Sequence, residues 1–260
     1  MTQIGFRLLM PLIVLAVAAI VVLLQIAIYR HHKLTASLTL IGTAMAGLVI
    51  PIAWFASPGM VTPLLLVDQM GLFYLAILIF ATFVITLLSI NYLKKSQIYP
   101  DEYYLLLILA ALGAGILALS VHFGAFFLGL EILSISLYGL IGYLRDREPN
   151  IEAAMKYLVL ASLSTAFLMF GVALLYADQG TLSFQQMAFN HGYGSSSYTI
   201  LPITGLGLLL VGIGFKLAVV PFHMWTPDVY QGAPAPVSGF IATISKGAVF
   251  VFLLRFSAFS

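Results

Sequence analysis

Long apolar runs separated by short polar breaks are the dominant pattern along this sequence. The runs fall near residues 8–29, 34–56, 70–93, 103–121, 123–144, 151–176, 199–220 and 237–256. Most of them are close to the roughly 20 residues that an α-helix needs to cross a bilayer. They lack the strict alternation of apolar and polar residues that is typical of transmembrane β-strands. The pattern therefore predicts an all-α, polytopic membrane helix bundle with about eight transmembrane helices.

Composition supports a membrane protein and excludes several other classes. Of the 260 residues, 62% are hydrophobic and only 8% are charged, so a water-soluble fold would lack the polar surface to cover itself. The lipid bilayer is therefore the expected surrounding. The formal net charge of +2 is too small to indicate a nucleic-acid partner. The absence of cysteine excludes thiolate zinc sites and cysteine-ligated iron–sulfur clusters in this chain.

Basic residues predict how the bundle is oriented. The loops after the first, third and fifth runs contain Arg30, Lys33, Lys94, Lys95, Arg145 and Arg147. The loops after the second, fourth and sixth runs contain no Lys or Arg. The positive-inside rule then puts the basic loops in the cytoplasm and the N-terminus outside. Arg7 and Arg255, both near the ends of the chain, are exceptions to this pattern.

Two ionisable residues lie at bilayer depth in the predicted spans. Glu131 is near the middle of the fifth run and Lys246 is near the middle of the eighth. At a rise of about 1.5 Å per residue, each lies roughly 13 to 15 Å from the ends of its span. A charge at that depth costs about 2.5 to 3.5 kcal/mol on the insertion scale, and such residues are functional by default. The alternative is a structural ion pair buried between helices.

Lys216 combines a charge with a predicted break in the seventh helix. Pro221 cannot donate a hydrogen bond to the carbonyl of Leu217, and its ring crowds that turn. Irregular backbone at membrane depth survives only beside protein or water, so we expect Lys216 to face a hydrated internal cavity. One glutamate cannot neutralise both lysines, and a lysine between desolvation and a carboxylate can load and release a proton. The alternative is a plain proline kink with a snorkelling lysine.

Three further residues are weaker candidates. Lys156 has Glu152 four residues before it, and an i,i+4 pair accounts for Lys156 as well as a functional role does. His223 and Asp228 flank Trp225 after the predicted break and are candidates for a proton entry or a gate. We favour the alternative, in which Trp225 anchors at the membrane interface and Asp228 caps a helix. The histidines do not have the spacing of metal ligands, so no metal site is predicted.

Several motifs carry a family resemblance. The sequence VVPFHMWTPDVYQGAPAP at 219–236, preceded by Lys216, resembles the signature of the antiporter-like subunits of respiratory complex I. Within that group, the segments GLE at 129–131, LYGLIGY at 137–143 and EAAMKY at 152–157 resemble NADH-quinone oxidoreductase subunit N of the bacterial type. The resemblance runs from about residue 100 to the end of the chain and is weaker before it.

The resemblance implies a fold and a set of roles. The family's fold contains two inverted repeats, so residues 1–100 would be leading transmembrane helices 1–3 and residues 101–260 would be the first antiporter-like repeat, helices 4–8. The second repeat would be absent from this chain. Glu131 and Lys216 would be the family's ion pair, Lys246 the central relay lysine and Lys156 an accessory site.

The resemblance also implies a function and partners. The chain would translocate protons as a membrane subunit of complex I in the bacterial inner membrane, with a periplasmic N-terminus, beside other membrane subunits of the complex. It would bind no cofactor, because NADH, FMN, iron–sulfur clusters and quinone belong to other subunits. The alternatives are a cation/proton antiporter or membrane-bound hydrogenase subunit of the same fold, a solute carrier with a broken helix, and a passive assembly scaffold.

Overall fold

The computed structural model describes residues 3–94, 100–144, 148–193 and 200–259. In chain order its elements are α1 (Gln3–Ile28), α2 (His32–Leu48), α3 (Ile50–Ala56), β1 (Gly59–Thr62), β2 (Leu65–Val67), α4 (Gln69–Leu93), α5 (Asp101–Leu119), α6 (Phe123–Ile141), α7 (Glu148–Gln179), α8 (Phe184–Tyr193), α9 (Ile200–Leu217), α10 (Thr226–Gly232), α11 (Ala235–Phe240), a π-helical turn (Ile241–Ser245) and α12 (Lys246–Phe259).

Eight helical segments among the described residues are long and apolar enough to cross a membrane. Six are the single helices α1, α4, α5, α6, α7 and α9. The second span combines α2 with α3, and the eighth runs from Ala235 through the π turn to Ala258. The prediction of a polytopic helix bundle is confirmed. A short antiparallel hairpin, β1–β2, lies between the second and third spans and was not predicted.

Helix α5 lies at the centre of the bundle. It packs against α1, α2, α4, α6 and α12, and its side chains Tyr103 and Tyr104 are fully buried. Large apolar side chains instead cover the outside, such as Phe55, which is 90% exposed. An outer surface of this kind is unfavourable in water and favourable against lipid chains.

Close glycine contacts hold two pairs of helices together. A Cβ atom on Gly129 of α6 would lie 2.8 Å from the backbone nitrogen of Leu117 and 2.9 Å from the carbonyl oxygen of Gly113, both on α5. A Cβ atom on Gly171 of α7 would lie 2.5 Å from the carbonyl oxygen of Gly205 on α9. Only glycine permits backbones to approach so closely. These contacts set the positions of α6 and α9, which carry Glu131 and Lys216.

A buried ion pair ties three helices together at one end of the bundle. Arg255 of α12 is 3% exposed, and its Nη2 atom lies 2.6 Å from Oδ1 of Asp68. Its Nε atom donates to the carbonyl oxygen of Ala118 on α5 at 3.1 Å. The same Asp68 oxygen accepts from the backbone N–H of Gly71 at 2.8 Å and so caps α4. Arg255, one of the two exceptions to the charge pattern, therefore has a structural role.

The structure describes only some of the basic residues that were used to predict the orientation of the bundle. Lys95, Arg145 and Arg147 lie outside the described residues. Arg30 follows α1 and forms an ion pair with Glu102 of α5 at 2.7 Å, and Lys94 caps the C-terminus of α4. The orientation of the bundle in the membrane stays a prediction.

Candidate functional site

The seventh span is interrupted directly after Lys216. Helix α9 ends at Leu217, Ala218 has a φ of 57°, and helical structure resumes at Thr226 in α10. Two hydrogen bonds close the end of α9, from the N–H of Ala218 to the carbonyl of Phe215 at 3.0 Å and from the N–H of Val219 to the carbonyl of Gly214 at 2.9 Å. The predicted break is confirmed.

Trp225 packs inside the bundle at this break. Its side chain is 3% exposed, and its Nε1 atom donates to the carbonyl oxygen of Phe215 at 3.0 Å. Its ring lies against those of Phe215 and Tyr157, with centroid distances of 5.4 and 5.0 Å. The expectation that Trp225 anchors at the interface is wrong, because the break folds back and gives the indole N–H an internal carbonyl acceptor.

Lys216 is buried at the end of α9 and points toward α6. It is 5% exposed, and its Nζ atom donates to Oγ of Ser134 at 2.8 Å. The Ser134 hydroxyl donates in turn to the carbonyl of Leu130 at 2.7 Å. Nζ also lies over the ring of Tyr157, 6.0 Å from its centroid. Because Lys216 occupies the last turn of α9, the helix dipole favours its charged form.

Glu131 lies near Lys216 without bonding to it. Glu131 and Ser134 are three residues apart on α6 and so share a helix face. Among the described residues Glu131 forms no ion pair, and its Oε1 atom is buried without a hydrogen-bond partner. Its charge is close enough to act on Lys216. The direct ion pair implied by the resemblance is not formed, because Ser134 accepts the Lys216 ammonium instead.

Lys246 opens α12 directly after the π-helical turn. Its Nζ atom lies over the ring of Tyr230 of α10, 5.5 Å from the centroid. Tyr74 of α4 donates a hydrogen bond of 2.6 Å to the carbonyl of Ile244 within the π turn. Single π-helical turns are frequent at functional sites. Lys246 is half-buried and forms no ion pair in the described part of the chain.

The weaker candidates join α7 to α10. Lys156 is exposed and its Nζ atom lies 2.7 Å from Glu152 and 2.6 Å from Asp228. Lys156 therefore forms the expected i,i+4 pair with Glu152 and has a second acidic partner in Asp228. The expectation that Asp228 caps a helix is wrong, since Trp225 is the N-cap residue of α10 and Asp228 lies in its first turn. His223 is half-buried, and its Nδ1 atom is buried without a partner among the described residues.

Sequence reasoning missed three residues that contact the two lysines. Ser134 bonds Lys216, and the rings of Tyr157 and Tyr230 face Lys216 and Lys246 respectively. The spacing of Ser134 from Glu131 on one helix face was an available signal. The sequence contained no such signal for the two tyrosines, since a tyrosine in an apolar helix usually serves only to pack against its neighbours.

The site contains groups that carry protons. Groups of α6 and α9 meet at Lys216 before the break, and the amine of Lys246 on α12 lies over Tyr230 of α10, the helix that follows the break. Within the described residues no group of three or more His, Cys, Asp or Glu side chains could hold a metal ion. The chemistry that these side chains support is proton transfer between ionisable groups.

Comparison with known proteins identifies the family. Residues 120–260, more than half of the chain, match the family described as the transmembrane NADH:quinone oxidoreductase/Mrp antiporter. The chain belongs to this family. The match includes α6, α9, α10 and α12, which carry Glu131, Lys216, Tyr230 and Lys246.

Individual relatives agree with this assignment. NADH-quinone oxidoreductase subunit N from Methylococcus capsulatus is 47% identical over 257 residues, covering 98% of this chain and 52% of that protein. A chain in respiratory complex I from Thermus thermophilus with bound aureothin is 35% identical with a TM-score of 0.80, covering 94% of this chain and 52% of that one. The chain thus spans about half the length of these relatives. A chain of the Mrp complex from Dietzia shares the fold, with a TM-score of 0.78 at 20% identity, covering 99% of this chain and 49% of that one.

Proposed function

We propose that this chain is part of a membrane subunit of a proton-pumping NADH:quinone oxidoreductase, and that Glu131, Lys216 and Lys246 relay protons through it. The observation that carries the proposal is the buried ammonium of Lys216 at a helix break, bonded to Ser134 at 2.8 Å. Beside it lies Glu131, one of whose carboxylate oxygens is buried with no hydrogen-bond partner among the described residues. Burying a charge that is bonded only to a neutral hydroxyl costs free energy, and an apolar residue at this position would avoid that cost if its role were purely structural.

The geometry supports a transfer in two stages. The Ser134 hydroxyl accepts from Lys216 and donates to the Leu130 carbonyl, so its rotation can connect the lysine with the adjacent Glu131 carboxylate. When Lys216 loses a proton, the free-energy cost of burying its charge is removed. When it gains one, the attraction between its ammonium group and Glu131 is restored. Lys246, whose Nζ atom lies over the ring of Tyr230, receives the proton next.

The energy for this transfer would come from other subunits. In the proposed complex NADH, FMN, iron–sulfur clusters and quinone are bound elsewhere, and quinone reduction changes the electric field or conformation at the relay. The other membrane subunits and the lipid bilayer are the partners of this chain. The location would be the bacterial inner membrane, with the N-terminus on the periplasmic side because the basic loops favour the cytoplasm.

The family fold suggests how the chain is divided. Residues 1–100 would provide the leading helices and residues 101–260 the first antiporter-like repeat, with the second repeat in the half of the relatives' length that this chain does not span. Lys156, which is exposed and paired with Glu152 and Asp228, would have an accessory role. His223 and Asp228 would lie at the entrance to the relay.

A cation/proton antiporter subunit is the second candidate. The family description includes Mrp antiporters, and the Dietzia Mrp complex shares the fold at 20% identity. The same three ionisable residues would serve in either protein. Proton movement that requires Na⁺ and is independent of NADH would support the antiporter.

The decisive test measures NADH-driven proton translocation in membrane vesicles. Lys216→Ala, Lys246→Ala and Glu131→Gln are placed in the full-length parent, with Lys33→Ala as a matched control because Lys33 is an exposed lysine at the start of α2. We expect each relay variant to assemble and to lose most of its pumping, while the control pumps normally. Normal pumping by assembled Lys216→Ala would refute the relay.

A further inference from the structure

Neither Lys216 nor Lys246 forms an ion pair with a carboxylate in the part of the chain that the structure describes. The described residues contain four ion pairs, and none includes Lys216 or Lys246. Each ammonium group lies instead over a tyrosine ring, at 6.0 Å from the centroid of Tyr157 for Lys216 and at 5.5 Å from that of Tyr230 for Lys246. The same arrangement thus occurs twice, on different helices.

We propose that Tyr157 and Tyr230 are positioning residues that hold the protonated forms of Lys216 and Lys246 by their aromatic faces. This inference rests on the proposed relay and adds the groups that balance its charges. The face of an aromatic ring is electron-rich and attracts a cation within about 6 Å of its centroid. The attraction strengthens where water is excluded, as it is around the buried Lys216 and Tyr157.

Neighbouring rings hold Tyr157, and a hydrogen bond holds the backbone of Tyr230. Tyr157 lies between the rings of Tyr138 and Trp225, at centroid distances of 5.6 and 5.0 Å. The backbone carbonyl of Tyr230 accepts a hydrogen bond from Ser238 at 3.1 Å. The phenol oxygen of Tyr230 is buried and has no partner among the described residues, so no hydrogen bond of that hydroxyl accounts for the ring's position.

The ion pair between Lys156 and Asp228 links the two rings. Lys156 precedes Tyr157 on α7, and Asp228 lies two residues before Tyr230 on α10. Their side chains meet at 2.6 Å. A shift of α10 would therefore change the position of Tyr230 over Lys246 and also pull on the helix that carries Tyr157. This linkage also gives the exposed pair at Lys156 a role that does not require it to carry protons.

Other ionisable groups face the two lysines unequally. Lys216 donates to Ser134 of α6, lies near Glu131 of the same helix and lies over the ring of Tyr157. Lys246 lies over the ring of Tyr230, and the Tyr74 hydroxyl, which donates to the Ile244 carbonyl, lies beside the adjacent Gly247. Since Glu131 already supports the charge of Lys216, we expect Lys246 to depend more strongly on its ring.

The experiment compares Tyr230→Leu with Tyr230→Phe in the full-length parent within the assembled complex. The readout is the pH profile of NADH-driven proton translocation. Leucine removes the aromatic face over which the Lys246 ammonium lies, so the alkaline limb of the pH profile should move to lower pH by about one unit. Phenylalanine retains the aromatic face, so the alkaline limb of the Tyr230→Phe profile should coincide with that of the wild type. Tyr157→Leu should give a smaller shift in the same direction.

The control removes a buried tyrosine whose ring packs against Tyr104 and Tyr143. Tyr103→Leu deletes a fully buried ring of α5 that bonds Ser89 at 2.9 Å, and it should leave the alkaline limb in place. If Tyr230→Leu does not assemble, tetrafluorophenylalanine at position 230 preserves the shape but weakens the negative face, and it should give the same shift. An unmoved limb in the assembled variant, or an equal shift in Tyr230→Phe, overturns the proposal.

The Lys246→Ala variant separates this inference from the proposed function. Normal pumping by assembled Lys246→Ala would refute the relay and the ring proposal together. Loss of pumping in Lys246→Ala, combined with an unmoved limb in Tyr230→Leu, would refute only the role of the rings.

Discussion

Substitution of Gly129 by alanine should separate α6, which carries the proposed relay residue Glu131, from α5 at the centre of the bundle. The new Cβ atom would lie 2.8 Å from the nitrogen of Leu117 and 2.9 Å from the carbonyl oxygen of Gly113. Both are backbone atoms, so α5 and α6 must move apart by several tenths of an ångström. Overpacking of this kind costs about 1–3 kcal/mol, whereas replacing a helical glycine gains only about 0.5–1 kcal/mol.

The matched control is Gly207→Ala. A Cβ atom at Gly207 in α9 meets no atom within 4 Å, so this variant retains the helix-propensity gain without the clash. Thermal unfolding of the purified full-length parent in detergent should show Gly129→Ala below the wild type and Gly207→Ala equal to it or above it. Because α6 also carries Ser134, proton translocation should fall in Gly129→Ala alone. Equal stability of the two variants would refute the close-packing argument.

Three further predictions concern the ends of helices. Arg255→Leu should lower the free energy of unfolding by about 1–3 kcal/mol, because it leaves the carboxylate of the partly exposed Asp68 without its buried partner. In a thermal double-mutant cycle with Asp68→Asn, the double variant should lose less stability than the sum of the two single losses. Burial lowers the pKa of His122, whose neutral ring caps α6. The contribution of this cap to stability should therefore be fully present above about pH 6.5 and be lost in more acidic buffer, and thermal unfolding of His122→Asn should depend less on pH. Ala218→Gly should stabilise the protein by about 1 kcal/mol in thermal unfolding, because Ala218 has a φ of 57°.

Long-range contacts account for the predictions that failed. Trp225 was expected at the interface and Asp228 at a helix cap, since both are common roles of these residues next to a break. The bundle instead brings Phe215 to Trp225 and Lys156 to Asp228. Lys156 and Asp228 are 72 residues apart in the chain, so no local pattern could have indicated that they pair. The hairpin β1–β2 was missed because its strands have only four and three residues.

The sequence by itself determined the features that depend on the bilayer and on local covalent structure. The eight spans follow from apolar length, because the thickness of the membrane sets the length of a helix. The break after Leu217 follows from Pro221, which lacks the N–H that the helix needs. The depth of Glu131 and Lys246 likewise follows from their position along a span.

Only the tertiary structure decided which groups meet. Ser134 accepts the Lys216 ammonium across 82 residues of chain, and the rings of Tyr157 and Tyr230 face the two lysines. These contacts depend on the rotation and separation of whole helices, which backbone contacts at glycines such as Gly113 and Gly129 set to within tenths of an ångström. The apolar pattern of a membrane helix carries little information about that rotation, because the residues that face lipid and those that face protein are similarly hydrophobic.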